Sequence, residues 1–170
     1  MEEFSIRPYC EETDFDAFRA FQRDYSQRTD AYQVWGAAPS IPEDALRKSL
    51  QNACRATPHP FVVADSQNRP IGVSMVERYV RVAKHHTIHI TLWEHPEWTE
   101  QVLRRTLRTL LESPVVNMVI CRVKGYEKEL LDACRKAGLQ EVGCIPDYFC
   151  YDGAVYPEYT FIARKDTAAL

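Results

Sequence analysis

One stretch of the chain sets groups able to move a proton side by side. From Thr87 to Trp93 the residues alternate, so that Ile88, Ile90 and Leu92 point one way and Thr87, His89 and Thr91 the other. Imidazole titrates near neutrality, which suits His89 to work as a general base with Thr91 on the same face. The plain alternative is a strand histidine under a helix or at the surface. His85 and His86 read as turn residues, and the histidines lack a nearby acidic or cysteine ligand in a fixed pattern, so no metal site is expected. Glu77 ends an apolar run; its carboxylate could attract or deprotonate a basic group, or simply be solvated at a strand end. Tyr148, beside Asp147 on a later strand, carries a phenol able to donate a proton or to pack as a half-buried aromatic. Cys134 could act as an acid or nucleophile, but it falls with Leu130, Leu131 and Ala137 on one helical face and reads as a core thiol.

The elements that must position these groups follow from period and punctuation. Phe4 to Arg7 alternates and stops at Pro8, a short first strand. Thr13 or Asp14 can cap a helix whose Phe15, Phe18, Phe21, Gln22 and Tyr25 share one side. Ala31 to Ser40 has no clean period and reads as a loop. A second helix opens at Pro42, buries Ala45, Leu46, Leu50 and Ala53, and is ended by Thr57 to Pro60. Pro60 to Asp65 and Ile71 to Val76, joined by Ser66 to Pro70, form a hairpin. After the histidine strand, Pro96 opens a helix to about Glu112, with Val102, Leu103, Leu107, Leu110 and Leu111 as its buried stripe. Arg104, Arg105 and Arg108 fall on its outer, solvated side. Val115 to Ile120 is nearly all apolar, as a strand covered on both faces should be. Tyr126 to Ala137 is a helix closed by Gly138. Strands Val142 to Tyr151 and Glu158 to Ala163, with a turn at Asp152-Gly153, finish the fold; residues 165–170 read as a frayed tail. Helices between the later strands imply some parallel pairing, hence a mixed α/β class.

Bulk properties narrow the function. The chain has 170 residues, 45% hydrophobic and 26% charged, with a formal net charge of −3. That suits one domain over residues 1–170 and gives no support to a nucleic-acid partner, which would ask for a basic face. No apolar run is long enough for a membrane helix and the N-terminus lacks a secretory pattern, so the expectation is a cytoplasmic protein with no membrane partner. The six cysteines are irregularly spaced without a Cys-x-x-Cys pair and read as free thiols.

Several stretches, in order and spacing, resemble the GCN5-related N-acetyltransferases, and the resemblance covers nearly the whole chain. Ile6-Arg7-Pro8-Tyr9 followed by Asp14 and a helix is similar to that family's opening, and Asp65 to Gly72 resembles its β2–β3 hairpin. Lys136 to Gly143, Asp147-Tyr148-Phe149, Tyr151-Asp152-Gly153 and Tyr156 to Arg164 resemble the branch that acetylates ribosomal-protein N-termini and polyamines. The resemblance implies a mixed central sheet of six to seven strands flanked by about four helices. It also implies transfer of an acetyl group from acetyl-CoA to a primary amine of a small molecule or peptide. On this view His89, Glu77 and Tyr148 are the catalytic candidates. Thr91, Leu92, Trp93, Trp98, Thr99, Glu100, Tyr126 and Lys128 are the candidates for holding the cofactor. Edge strands near the C-terminus make a homodimer the expected assembly.

The resemblance breaks where that family grips the CoA diphosphate. The expected glycine-rich loop is absent: Leu92 to Trp98 runs straight into Thr99 to Leu103, either because several residues are deleted or because His95 and Glu97 stand where glycines belong. Glu94, Glu97 and Glu100 would bring negative charge towards a diphosphate. The asparagine that usually opens the next helix is replaced within Gly125-Tyr126-Glu127-Lys128, and Cys134 stands where a tyrosine acid is common. Trp98 either fills the space of the missing loop, covers an acyl chain, or closes the core at its rim. Two functions therefore stand: an acyl-CoA-dependent N-acyltransferase, or an inactive relative that binds a ligand or dimerises without CoA.

Overall fold

Alternating apolar residues build one sheet, and two pairs of helices cover its faces. The computed structural model describes residues 3–28, 42–55, 61–77 and 85–166, with the side chains of 25–28, 53–55 and 77 left outside. In chain order the elements are β1 (Phe4–Pro8), α1 (Glu11–Arg28), α2 (Glu43–Arg55), β2 (Phe61–Asp65), β3 (Pro70–Glu77), β4 (His85–Leu92), α3 (Thr99–Glu112), β5 (Met118–Lys124), α4 (Lys128–Lys136), β6 (Gln140–Tyr151) and β7 (Ala154–Arg164). The sheet runs β1-β2-β3-β4-β5-β7-β6, and β4 with β5 is its parallel pair. The mixed α/β class, with seven strands and four α-helices among the described residues, is as expected. No helix among the described residues is long and apolar enough to cross a membrane.

The core lies on both sides of the sheet. Phe15 and Phe18 of α1 and Leu46 and Leu50 of α2 pack on Val62, Ala64, Val73 and Met75. On the other face Val102, Leu103 and Leu107 of α3 and Leu130, Leu131 and Cys134 of α4 meet Ile88, Ile90, Val119, Cys121, Val123 and Phe161. Cys134 is thus a buried thiol. Cys10, Cys121, Cys134, Cys144 and Cys150 are unbridged.

Several boundaries differ from the sequence reading, each for a local reason. Helix α1 begins at Glu11, ahead of the expected caps; Asp14 instead sits inside it and reaches back to accept the Cys10 N–H at 2.8 Å. Asp14 also takes two bonds from Arg7, at 2.7 and 2.8 Å, which tie the first strand to the first helix. His85 and His86 belong to β4, not to a turn. Pro96 opens a single turn of 3-10 helix, Pro96–Trp98, and α3 proper starts at Thr99. Val115 precedes β5 in a turn and is 59% exposed, so its apolar character misled. Helix α4 begins two residues later than expected, with Glu127 as its cap. The loop at Ala31 to Ser40, the helix end at Thr57 to Pro60 and residues 167–170 of the tail lie outside the described residues.

Candidate functional site

The site forms where two strands part. The β4–β5 ladder pairs His85 with Met118 through Ile88 with Cys121 and goes no further, although both strands continue. Beyond that point β4 stays zipped to β3, with Thr91 opposite Val73 and the Trp93 N–H on the Ile71 carbonyl at 3.0 Å. Alternation then aims the backbone groups of Ile90 and Leu92 at β5, where the register gives them no partner. Gly72 lets β3 crowd this end of β4: a Cβ there would stand 2.7 Å from the Thr91 carbonyl and against the Leu92 side chain.

The parting leaves a cleft of about 310 Å³. Ile90, Thr91, Leu92 and Trp93 form one wall, Tyr126, Glu127, Glu129 and Leu130 the other, and Pro96 with Thr99 one end. Phe21 and Asp24 of α1 and Tyr151 of β6 close over it. The rings are mutually braced: Trp93 stacks on Phe21 at 5.0 Å, and Tyr126 on Tyr151 at 4.0 Å. Three carboxylic residues line the cleft, and no Lys or Arg among the described residues does.

At the vertex sits a proton-holding group. His89 Nε2 lies 3.0 Å from Thr91 Oγ1 and 3.3 Å from Glu127 Oε1, with both side chains nearly buried, 15% and 12% exposed. Burial, then the Lys124 cation, push the His89 imidazole down to about 3. Burial pushes the Glu127 carboxyl up, against the pull of Lys124. Burial thus disfavours the charged form of each group. A carboxylic acid hydrogen-bonded to a neutral imidazole and a carboxylate beside an imidazolium hold the same single proton. The two side chains touch, so they take up and release a proton as one coupled site and not as two independent groups. On the far side of His89 is a second hollow of about 160 Å³, lined by Met75, Thr87, Arg122, Lys124 and Glu158.

The connection between β4 and α3 has a defined shape without a glycine. His95 takes the left-handed conformation, φ 56°, and its ring stacks on Trp98 at 4.2 Å. The Trp98 N–H bonds the His95 carbonyl, and the Thr99 N–H and hydroxyl both go to the Pro96 carbonyl. These donors at the helix start are thus consumed internally. Trp98 leans on Phe4, 5.9 Å away, and packs against the core, not into the cleft.

The sequence candidates fall into two sets. Thr91, Leu92, Trp93, Thr99 and Tyr126 line the cleft, and His89 stands at its vertex. Glu100 instead pairs with Arg104 at 2.9 Å, and Lys128 is exposed at the start of α4. Tyr148 is 52% exposed on the outermost strand and borders neither cavity. Glu77 pairs with Thr87 along the backbone, and its side chain is outside the described set. Glu127 was missed. In sequence it reads as an ordinary acidic residue at a helix start, and only the parting of β4 from β5 brings His89 to it. Among the described residues no three His, Cys, Asp or Glu side chains gather as a metal site.

No protein-family model matches the chain, and no curated protein does. Solved structures do. The spermidine N-acetyltransferase from Vibrio cholerae in complex with CoA and spermine matches with a TM-score of 0.78 at 14% identity, over 98% of this chain and 98% of that one. A dodecameric structure of the Vibrio cholerae spermidine N-acetyltransferase in an intermediate state gives 0.79 at 13% identity, over 98% and 96%. Identities this low speak for fold. The chain has the fold of the GCN5-related N-acetyltransferases, as its sequence resemblance implied.

Proposed function

We propose that the chain is an acyl-CoA-dependent N-acyltransferase that moves an acetyl group onto the primary amine of a small cationic acceptor. The observation that carries this reading is the end of the β4–β5 ladder at Ile88 and Cys121. It leaves a slot with two unpaired backbone edges on one wall and the His89–Glu127 pair at its vertex. An acyl thioester supplies a carbonyl carbon open to attack by an amine. The Ile90 and Leu92 N–H groups are the donors available to its oxygen. The His89–Glu127 pair accepts the proton that the amine gives up as the C–N bond forms and the C–S bond breaks; the sulfur keeps the bonding electrons and is released as a thiol. An acceptor ammonium finds Glu129 set among Trp93, Tyr126 and Tyr151, a lining suited to an organic cation. The spermidine named for the solved relatives is such a cation.

For CoA itself the fit is divided. The slot suits the acyl-pantetheine arm. The diphosphate end meets Pro96, which has no N–H, and the already bonded N–H groups of Trp98 and Thr99. Thus β4 rather than the helix start holds most of the donor. A homodimer belongs to the same proposal. The outer strand β6 presents Val142, Ile145 and Tyr148, each about half exposed, along a free sheet edge.

Release of free thiol from acetyl-CoA, followed with and without spermidine, tests the reading. Acceptor-dependent release that disappears in Glu127→Gln supports it; no release with any of a panel of primary amines removes it. The lining without Lys or Arg favours a second reading, a module that binds an organic cation without CoA. Its signature is a thermal midpoint raised by spermidine and untouched by millimolar acetyl-CoA.

A further inference from the structure

Where a parallel ladder stops, its next donors and acceptors must turn to other groups or to water. Continued by one step past Ile88 and Cys121, the β4–β5 register would give the Lys124 N–H to the Ile90 carbonyl and the Ile90 N–H to the Arg122 carbonyl. The parity is fixed on both strands. The Gly125 N–H bonds Pro157 on β7 at 2.7 Å, which leaves the Lys124 N–H facing β4. On β4 the Trp93 N–H faces β3, which leaves Ile90 facing β5. The structure shows where the Lys124 donor goes: to Glu127 Oε2, at 2.7 Å. The other oxygen of the same carboxyl lies 3.3 Å from His89 Nε2, on the strand that would have closed. One side chain thus takes the next ladder donor of β5 and braces against β4.

We propose that Glu127 is a positioning residue that holds β4 and β5 apart, and that the cleft exists because its carboxyl replaces the Ile90 carbonyl as partner of the Lys124 N–H. His89 is the other half of the brace. Its ring fills the vertex, and its Nε2 is held by Glu127 and Thr91 together. The role is separate from proton transfer, because it needs only an acceptor oxygen at Oε2. A glutamine can supply that oxygen, and an alanine cannot. Closure without the brace would make two backbone hydrogen bonds at once, so the cleft is the arrangement that needs maintaining.

Amide hydrogen exchange on the whole chain reads this directly. In the unaltered protein the Lys124 and Ile88 amides should be protected and the Ile90 amide should exchange freely. In Glu127→Ala the Ile90 amide should slow by about tenfold or more as the ladder advances one pair, while Glu127→Gln keeps it fast. Should the alanine variant fail to fold, Glu127→Asn, one methylene too short to reach Lys124 from the same backbone, carries the same expectation. Titration with CoA adds an affinity arm that rests on the acyl-donor reading. Binding should fall at least about tenfold in the alanine variant and stay within about twofold in the glutamine variant. If no form binds CoA, the acyl-donor reading fails and the exchange arm still decides the brace. An Ile90 amide already as protected as Ile88 in the unaltered protein overturns the proposal. So does an alanine variant in which Ile90 stays fast.

Discussion

Glu127 carries two loads at the residue scale, and they separate by pH. Its carboxyl is pushed above its ordinary value near 4.5 by burial, so the folded chain holds that proton to higher pH than the unfolded chain does. Stability from this group is present at low pH and lost as pH rises through the raised value. His89 runs the other way. Its folded value of about 3 lies below 6.5, so the unfolded chain binds a proton first, and stability is lost as pH falls from 6.5 towards 3. Urea unfolding of Glu127→Gln against the parent should therefore show the variant gaining relative stability at pH 8 over pH 4; a difference of the opposite sign would contradict the burial of this carboxyl. In turnover the same variant should lose roughly 10²–10⁴-fold in kcat with little change in KM, as removal of a proton acceptor does. Asp14 is purely structural. Burial alone would raise its carboxyl, but bonds from Arg7, Cys10 and Thr13 together hold it below its ordinary value of 3.8. Asp14→Ala leaves the Arg7 guanidinium without its partner and should cost about 3 kcal/mol in a denaturant titration at pH 7, with the cost shrinking as pH falls below 3.8.

The elements were legible to the degree that their periods were clean. Helices α3 and α4 announce themselves because one face is buried and the other is not, and strands β2 and β3 because both faces are buried, which makes each a nearly unbroken apolar run. The first part of β7 was not legible: Ala154 and Val155 are exposed beside the β6–β7 turn, beyond the end of β5, and no burial imposes alternation there. His85 and His86 were misplaced for a related reason, since two polar residues at a strand start look like a turn. The cleft was half legible. Thr91, Leu92 and Trp93 could be placed by strand alternation. The meeting of His89 with Glu127 depends on a ladder ending, which no local pattern in β4 records. Gly72 shows how tightly that end is held. A methyl group there meets the Thr91 backbone oxygen at 2.7 Å, so the strand itself would have to move. Gly72→Ala should destabilise by about 1–3 kcal/mol and weaken any ligand of the cleft, read by thermal unfolding and titration. Unchanged values in both would show that β3 does not set the position of the cleft wall.

At the scale of the molecule, one sheet carries two separable surfaces. Its middle opens between β4 and β5, and its outer edge, β6, exposes Val142, Ile145 and Tyr148, where the proposed dimer would pair. Sedimentation of the parent should show self-association, and Ile145→Asp should reduce it to the monomer while leaving the cleft intact; a monomeric parent would remove the edge from consideration. The central claim concerns the middle. Titration of nitrogen-15-labelled protein with acetyl-CoA, followed at each backbone amide, tests it most directly. The account predicts the largest shifts at Ile90 and Leu92, the two amides the open ladder leaves facing the slot, with smaller ones at Trp98 and Thr99, whose N–H groups are already bonded. No shift at Ile90 and Leu92 at millimolar acetyl-CoA would contradict it.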